Sequence, residues 1–425
     1  MQPHPLEPTA GESAIDRQQT SGDTDVVDTD AVGQHFDVIV VGGGVVGAAT
    51  AWHLLEADRS LSVAVVEPDP GYSYAASSAA SGGVRQLFSR GENVLMSRYT
   101  HEVIDNWHNW TLPEGEVGPS DVPNLNWRPQ GYLFITDPDR SELLRADFEQ
   151  QRELGVEAEW LEPDQIKKRY DLIHTADLGP AILSRRDGWL DPHTFLQGML
   201  SRGRRLGAAN ITGHVTGFEW ADGRITAAYL DSGRRLSGNH FVNVAGVWGP
   251  SLSRELGLDL PVEPMRRFDH YVETTADFTG YPFVKDPTGL AVRPEGAGLT
   301  AARVDFEAPG GFNLAIDKTY FEEVVWPALV ARIPITDELR LVSTWAGLYD
   351  QNRLDGNMIL DRWDDRFDNY YIATGFSGHG LMHAPAIGRA VAELIVHGSF
   401  QTIDLTRMGL ARVFSNQPYA ELAIR

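Results

Sequence analysis

The chain has 425 residues, 42% of them apolar, and a formal charge of −23 at pH 7. That length predicts two domains rather than one core; no run of about 18 apolar residues suggests a membrane span, and the acidic balance argues against nucleic acid and anionic lipid. Cysteine is absent, which excludes disulfides, thiolate zinc sites and cysteine nucleophiles and fits a reducing, cytoplasmic setting; no metal is expected.

Residues 1–34 are rich in Asp, Thr, Pro and Gln and lack both an apolar core and a basic start. They read as a disordered acidic tail, neither a signal peptide nor an Arg-rich transit peptide. Then comes FDVIVVGGGVVG at 36–47, an apolar strand running into Gly42-x-Gly44-x-x-Gly47, and a second apolar run that ends in Glu67. Strand, glycine turn, helix, strand and acid in register are the full dinucleotide-binding fingerprint. Gly42 suits the tight turn, Gly44 lets backbone approach a pyrophosphate, and Gly47 lets helix and strand pack closely. The helix beginning at Val45 and Val46 turns its first amides toward phosphate, and Glu67 is placed to take a ribose hydroxyl.

Helical patterning follows at 93–110, a short strand at 131–136 and a charged helix at 140–154. Asp191 followed by proline caps a further helix. Strand-like runs from 211 to 244 are split by Asp222-Gly223 and Asp231-Ser232-Gly233, both hairpin signals. A β-rich stretch covers 268–349, a buried strand 370–374, and an amphipathic helix runs on to about 396. Parallel-type units at the start, middle and end, with a turn-rich region between them, predict α/β plus antiparallel β. The expected fold is a Rossmann-type cofactor domain built from discontinuous segments, with an inserted mixed or antiparallel sheet substrate domain. The expected boundaries are 35–125 with 185–262 and 352–400 for the first, 126–184 with 263–351 for the second, and a C-terminal extension at 401–425.

Six blocks stand in one order: VVGGGVVGAATAWHL, SYAASSAASGGVRQLFS, VNVAGVWGPSLSRELG followed by LPVEPMRR, AVRPEGAGL, AGLYDQNRLDGNMIL and YYIATGFSGHGLMHAPAIGRAVAELI. Together they resemble the D-amino-acid-oxidase-like flavoprotein family, which includes glycine and sarcosine oxidases, dimethylglycine dehydrogenases and FAD-dependent oxidoreductase domain proteins. The resemblance covers residues 36–414 and implies FAD as cofactor. By it, Ser77, Ser78, Ser81, Gly82, Gly83, Val84 and Arg85 form the loop under the pyrophosphate and flavin ring. Val215 meets the adenine edge, and Ala245, Gly246 and Trp248 close over the adenosine side. Gly375, Ser377, Gly378, His379, Gly380, Leu381 and Met382 lie against the pyrimidine side, where a helix N-terminus favours charge on reduced flavin. Tyr349 faces the substrate, and His379 either faces flavin or bonds backbone. Trp345 and Phe376 offer an aromatic wall to a methylammonium group.

The chain departs from the family pattern in three ways. Gly347 stands where some relatives carry a cysteinyl flavin link, and no histidine lies in 77–83, so FAD is expected to be non-covalent. Phe88 and Met382 replace a charged carboxylate clamp, leaving Arg90, Arg98, Arg293 or Arg353 as substitutes. Thr300 replaces an oxygen-activating lysine, and among only four lysines Lys285 is the nearest in sequence. That tilts the expectation toward a dehydrogenase with an electron-carrier partner. The resemblance implies FAD-dependent oxidation of a small-molecule secondary amine or amino acid to the imine. The alternatives are a non-catalytic FAD-binding assembly or interaction factor and a flavin hydroxylase.

Overall fold

The near-continuous apolar runs of the fingerprint form adjacent parallel strands, His35–Val41 and Val63–Glu67, buried on both faces. Continuous rather than alternating apolar character is what a sheet covered on both sides requires. The computed structural model of the chain describes residues 34–111, 123–305 and 307–422. The tail expected at 1–34 lies, but for residue 34, outside the described residues.

The first sheet runs in the order Ile359–Arg362, Tyr370–Thr374, Arg235–Asn243, His35–Val41, Val63–Glu67, Ala209–Thr212. Its members come from the start, middle and end of the chain, and all these pairings are parallel except the one between Ile359–Arg362 and Tyr370–Thr374. The hairpin Val215–Ala221 to Arg224–Leu230 adds to Arg235–Asn243. Asp222 and Gly223 have φ of +50° and +76°, the left-handed pair that a two-residue hairpin turn needs. On one face the helices Val45–Ala57, Gly380–His397, Gly91–Asp105 and Pro192–Arg205 bury the main core. A Cβ on Gly388 would stand 2.5 Å from the Ala49 backbone, so glycine there lets the first and last long helices cross in contact. Asp191 caps the helix Pro192–Arg205 by accepting from the Thr194 amide at 2.7 Å.

The second sheet has the order Leu339–Asn352, Val262–Thr274, Gly298–Arg303, Leu290–Glu295, Phe283–Lys285, Tyr132–Ile135, Ala181–Ser184, Ala158–Leu161. Only Phe283–Lys285 and Tyr132–Ile135 pair in parallel; the rest are antiparallel. The fold is thus a discontinuous Rossmann-type domain carrying an inserted, largely antiparallel sheet. Two local expectations differ. The helix expected at 93–110 breaks at Asn106 into Gly91–Asp105 and Trp107–Thr111. The stretch 268–349 also contains helical turns, Phe321–Val325 and Trp326–Arg332. There Phe321, Val325 and Leu329 are buried at four-residue spacing, a helical stripe beneath the sheet. Among the described residues no helix is long and apolar enough to cross a membrane.

Candidate functional site

One cavity of about 780 Å³ is lined from both sheets, within the size range of cofactor sites. At one end lies the glycine turn. Gly42 has φ +104°, and a Cβ on Gly47 would sit 1.9 Å from the Gly42 carbonyl oxygen. Both positions therefore exclude side chains, one for conformation and one for space. Gly44 is different: it opens on the cavity, and a Cβ there would meet only Ser77 Oγ at 3.3 Å. It caps the helix Val45–Ala57 with no side-chain bond and no acid in the first turn, so the helix N-terminus offers its partial positive charge to the cavity. Ser77 Oγ accepts from the Val45 amide at 3.2 Å. The Glu67 carboxylate faces the same space, accepting from the Gly43 and Asp69 amides at 2.8 and 3.0 Å. Burial pushes its pKa up and those amides oppose the shift. Val45, Val46, Val215, Ala245, Gly246 and Trp248 line this end, joined by Gly213, His214 and Asp231, which the sequence reading did not single out.

The middle of the cavity is walled by Ser77, Ser81, Gly82, Gly83 and Arg85. A Cβ on Gly82 would meet the Leu190 carbonyl at 2.0 Å, and one on Gly83 the Tyr132 hydroxyl at 2.7 Å. Four of the residues picked from the sequence stand outside the lining. Gly47 packs against the Gly42 backbone, and Gly375 is held in a left-handed conformation against the Val262 and Asn352 side chains. Ser78 is turned to solvent by the short helix Ala76–Ala79, and Val84 is wholly buried in the core opposite Gly188.

At the far end, the loop 375–380 is shaped by Asp350. Its Oδ2 accepts from the Gly375 and Phe376 amides at 2.8 and 3.1 Å, while its carbonyl accepts from the Ser377 amide. Burial pushes the Asp350 carboxyl up to about 7 against those amides. Gly375, Ser377 and Gly378 have φ of +73°, +50° and +93°, a path that favours glycine. Ser377 Oγ accepts from the Asn352 amide at 3.0 Å. A Cβ on Gly378 would stand 2.5 Å from the Tyr349 ring, so the tyrosine is seated directly on this glycine. Gly380, Leu381 and Met382 then open the long helix Gly380–His397 and line the cavity with Ser377, Gly378, His379 and Tyr349.

Arg85 is buried beside them, donating to the Leu87 carbonyl and lying 3.8 Å over the Phe88 ring. Its Nη2 is 3.2 Å from His379 Nε2. A guanidinium only donates, so His379 accepts at Nε2 and carries its proton on Nδ1. Burial first, then the Arg85 charge, holds the His379 pKa well below the ordinary value. The imidazole is therefore a neutral hydrogen-bond donor through Nδ1, with its Nε2 lone pair already engaged.

Of the four arginines considered as a carboxylate clamp, only Arg353 lines the cavity. Arg90 is spent on the Ala420 carbonyl, Arg98 on Leu154 and Arg293 on Ser81 and Glu295. Thr300 is buried outside the lining, whereas Lys285, the alternative nearest to it in sequence, lines the cavity. Trp345 is also outside, its Nε1 donating to Ala79, while Phe376 lines the wall. Arg267, Asp269 and Lys285 line the cavity from the sheet that also carries Tyr349, and Arg267 lies 5.1 Å over the Tyr349 ring. Glu421 reaches in from the far end of the chain, accepting from the Ser89 amide and Asn93 Nδ2. Strand positions of this kind carry no local motif. Among the described residues no cluster of His, Asp or Glu is arranged to hold a metal.

The cavity fits a dinucleotide: a helix N-terminus with no acid in its first turn for phosphate, the Glu67 carboxylate facing the same space, and a second helix N-terminus at the other end. Residues 37–394 match the family described as FAD dependent oxidoreductase. The chain is 33% identical to the FAD-dependent oxidoreductase domain-containing protein 1 of Xenopus laevis, over 91% of this chain and 84% of that protein. It is 25% identical to glycine oxidase of Bacillus licheniformis, over 87% of this chain and 95% of that protein. In fold it is similar to L-proline dehydrogenase from P. horikoshii, with TM-score 0.79 and 24% identity over 91% of this chain and 100% of that one. The chain belongs to the FAD dependent oxidoreductase family, and its cofactor is FAD.

Proposed function

We propose that this flavoprotein oxidises a secondary amine or amino acid, of N-methyl or cyclic imino acid type, to the imine. The observation that carries the reading is the far end of the cavity. There Tyr349, the neutral His379 and the N-terminus of Gly380–His397 meet Arg85, Arg267 and Lys285, in a space continuous with the dinucleotide turn. Bound FAD supplies the hydride acceptor.

The protein's own groups do the rest. The cavity residues named at the two ends, from Gly44 and Glu67 to Ser377 and Met382, hold the cofactor. The dipole of the long helix Gly380–His397 stabilises negative charge at its N-terminus. The Tyr349 hydroxyl orients the substrate, and burial together with the neighbouring Asp269 keeps that hydroxyl protonated. His379 donates through Nδ1 and does not serve as a general base. Phe376 and Met382 give the chamber apolar walls that exclude water. The partners are small molecules and an electron carrier or oxygen, and the cysteine-free chain suits a reducing compartment such as the cytoplasm.

Anaerobic bleaching of the flavin with a panel of N-methyl amino acids, cyclic imino acids and primary amino acids tests the reading. Reduction by at least one secondary amine is expected. A protein that carries FAD and is reduced by none of them is instead a non-catalytic assembly or interaction factor, and reduction by NADPH alone marks a hydroxylase.

A further inference from the structure

The cavity-facing side of the second sheet has a polarised floor. His270 is paired with Ala301, which sets Asp269 beside Ala302. Ala302 pairs with Ala291, and Ala291 with Lys285. Asp269, Ala302, Ala291 and Lys285 thus form one row across four neighbouring strands, and all four line the cavity. Three inter-strand steps separate the outer Cα atoms by about 14 Å, and the lysine spans part of that distance on its four-carbon stem.

Two alanines leave the middle of the row as a shallow trough. At its two ends the Asp269 carboxylate and the Lys285 ammonium make no hydrogen bond or ion pair with any side chain or backbone group among the described residues. Burial pushes Asp269 up to about 6, opposed by the charges of Arg293 and then Lys285, and pushes Lys285 down to about 7, helped by Arg85 and Arg267 and opposed by Asp269. Both are partly buried and open on the cavity, where charged groups are normally paired within the protein or by what the cavity binds. An acid and a base facing each other across an apolar gap, both without a protein partner, have the complementarity of a zwitterion.

We propose that Asp269 and Lys285 are the two poles of the substrate subsite, binding an amino acid with its ammonium on Asp269 and its carboxylate on Lys285. The carbon skeleton rests on Ala291 and Ala302. This rests on the amine-oxidation reading and narrows it to substrates carrying both charges. It also answers the loss of a charged clamp at Phe88 and Met382, since the carboxylate is held from a strand of the second sheet.

The test is titration of the FAD-loaded protein with three probes, followed by the shift in flavin absorbance before any reduction. L-proline carries both poles, pyrrolidine only the amine, and tetrahydrofuran-2-carboxylate only the carboxylate. Asp269→Asn is expected to weaken L-proline and pyrrolidine by about ten-fold or more and leave tetrahydrofuran-2-carboxylate unchanged. Lys285→Met is expected to weaken L-proline and tetrahydrofuran-2-carboxylate and leave pyrrolidine unchanged. Asp269→Glu and Lys285→Arg, which keep the charges, are expected to recover most of the affinity, and they carry the test should a neutral variant lose FAD. The proposal is overturned if the wild-type protein binds none of the probes, or if the two neutral variants affect all three alike. A flavin that no amine reduces defeats amine oxidation itself. A flavin reduced by amino acids with unchanged KM in both neutral variants defeats only the two-pole subsite.

Discussion

Gly44 separates a conformational role from a spatial one. Its φ of −61° is open to any residue, and an added Cβ would touch only Ser77 Oγ. Gly44→Val is therefore expected to fold yet fail to retain FAD, because the side chain fills the space in which backbone meets pyrophosphate. Circular dichroism together with the flavin-to-protein absorbance ratio checks this; a folded variant with full FAD would overturn the phosphate-site assignment. If Glu67 takes the ribose hydroxyl as proposed, Glu67→Ala removes a charge-assisted contact of about 1.5–3 kcal/mol and also releases the Gly43 and Asp69 amides, so weakened but measurable FAD binding is expected. At the other end, Tyr349→Phe keeps the ring packed on Gly378 and deletes only the hydroxyl. Slower flavin reduction or a raised substrate KM with normal FAD content is the expected outcome. Unchanged reduction kinetics in stopped flow would make Tyr349 a packing residue.

At the scale of elements, the loop 375–380 and the helix that follows form one unit held by Asp350. A single oxygen, Oδ2, serves both the Gly375 and Phe376 amides, so a neutral side chain with one well-placed oxygen can replace it. Asp350→Asn is expected to keep FAD and stability near those of the parent. Asp350→Ala leaves two buried donors unsatisfied, at about 1–3 kcal/mol each, with a lower melting temperature and weaker FAD binding. Equal behaviour of the two variants would show that the loop holds its path without Asp350. Elements of this kind were partly legible in the sequence. Positive-φ glycines at 42, 375 and 378 and the Glu67 spacing leave local marks, as do the hairpin pair Asp222-Gly223 and the cap Asp191. Ser78 and Val84 were placed on the cavity because a loop reading cannot tell which side chains a short helix turns to solvent or which a strand sends to the core. Arg267 and Asp269 share a face by alternation on one strand, but Lys285 joins them only through the pairing of four strands, so no local motif marks the group. Lys285, the alternative to Thr300 nearest in sequence, is the lysine that lines the chamber.

For the whole molecule, the cavity is a seam. The glycine turn and Glu67 belong to the first sheet and Tyr132, Arg267 and Lys285 to the second, while the helices Val45–Ala57 and Gly380–His397 open on the cavity with their first turns. A ligand bound along such a seam is part of the folded structure, and it adds stability by mass action of about 2.7 kcal/mol when present at a hundred times its Kd. No cysteine exists to form a thioether, and residues 77–83 contain no histidine. Acid precipitation should accordingly release all the flavin and leave a colourless polypeptide. The apoprotein recovered under mild conditions should melt several degrees lower than the holoprotein, and added FAD should restore the transition in a concentration-dependent way. Both are read from one preparation, by absorbance of the supernatant and by differential scanning calorimetry. Yellow colour that stays with the precipitate would establish a covalent link, and a melting transition indifferent to FAD would mean that the cavity does not couple the two sheets.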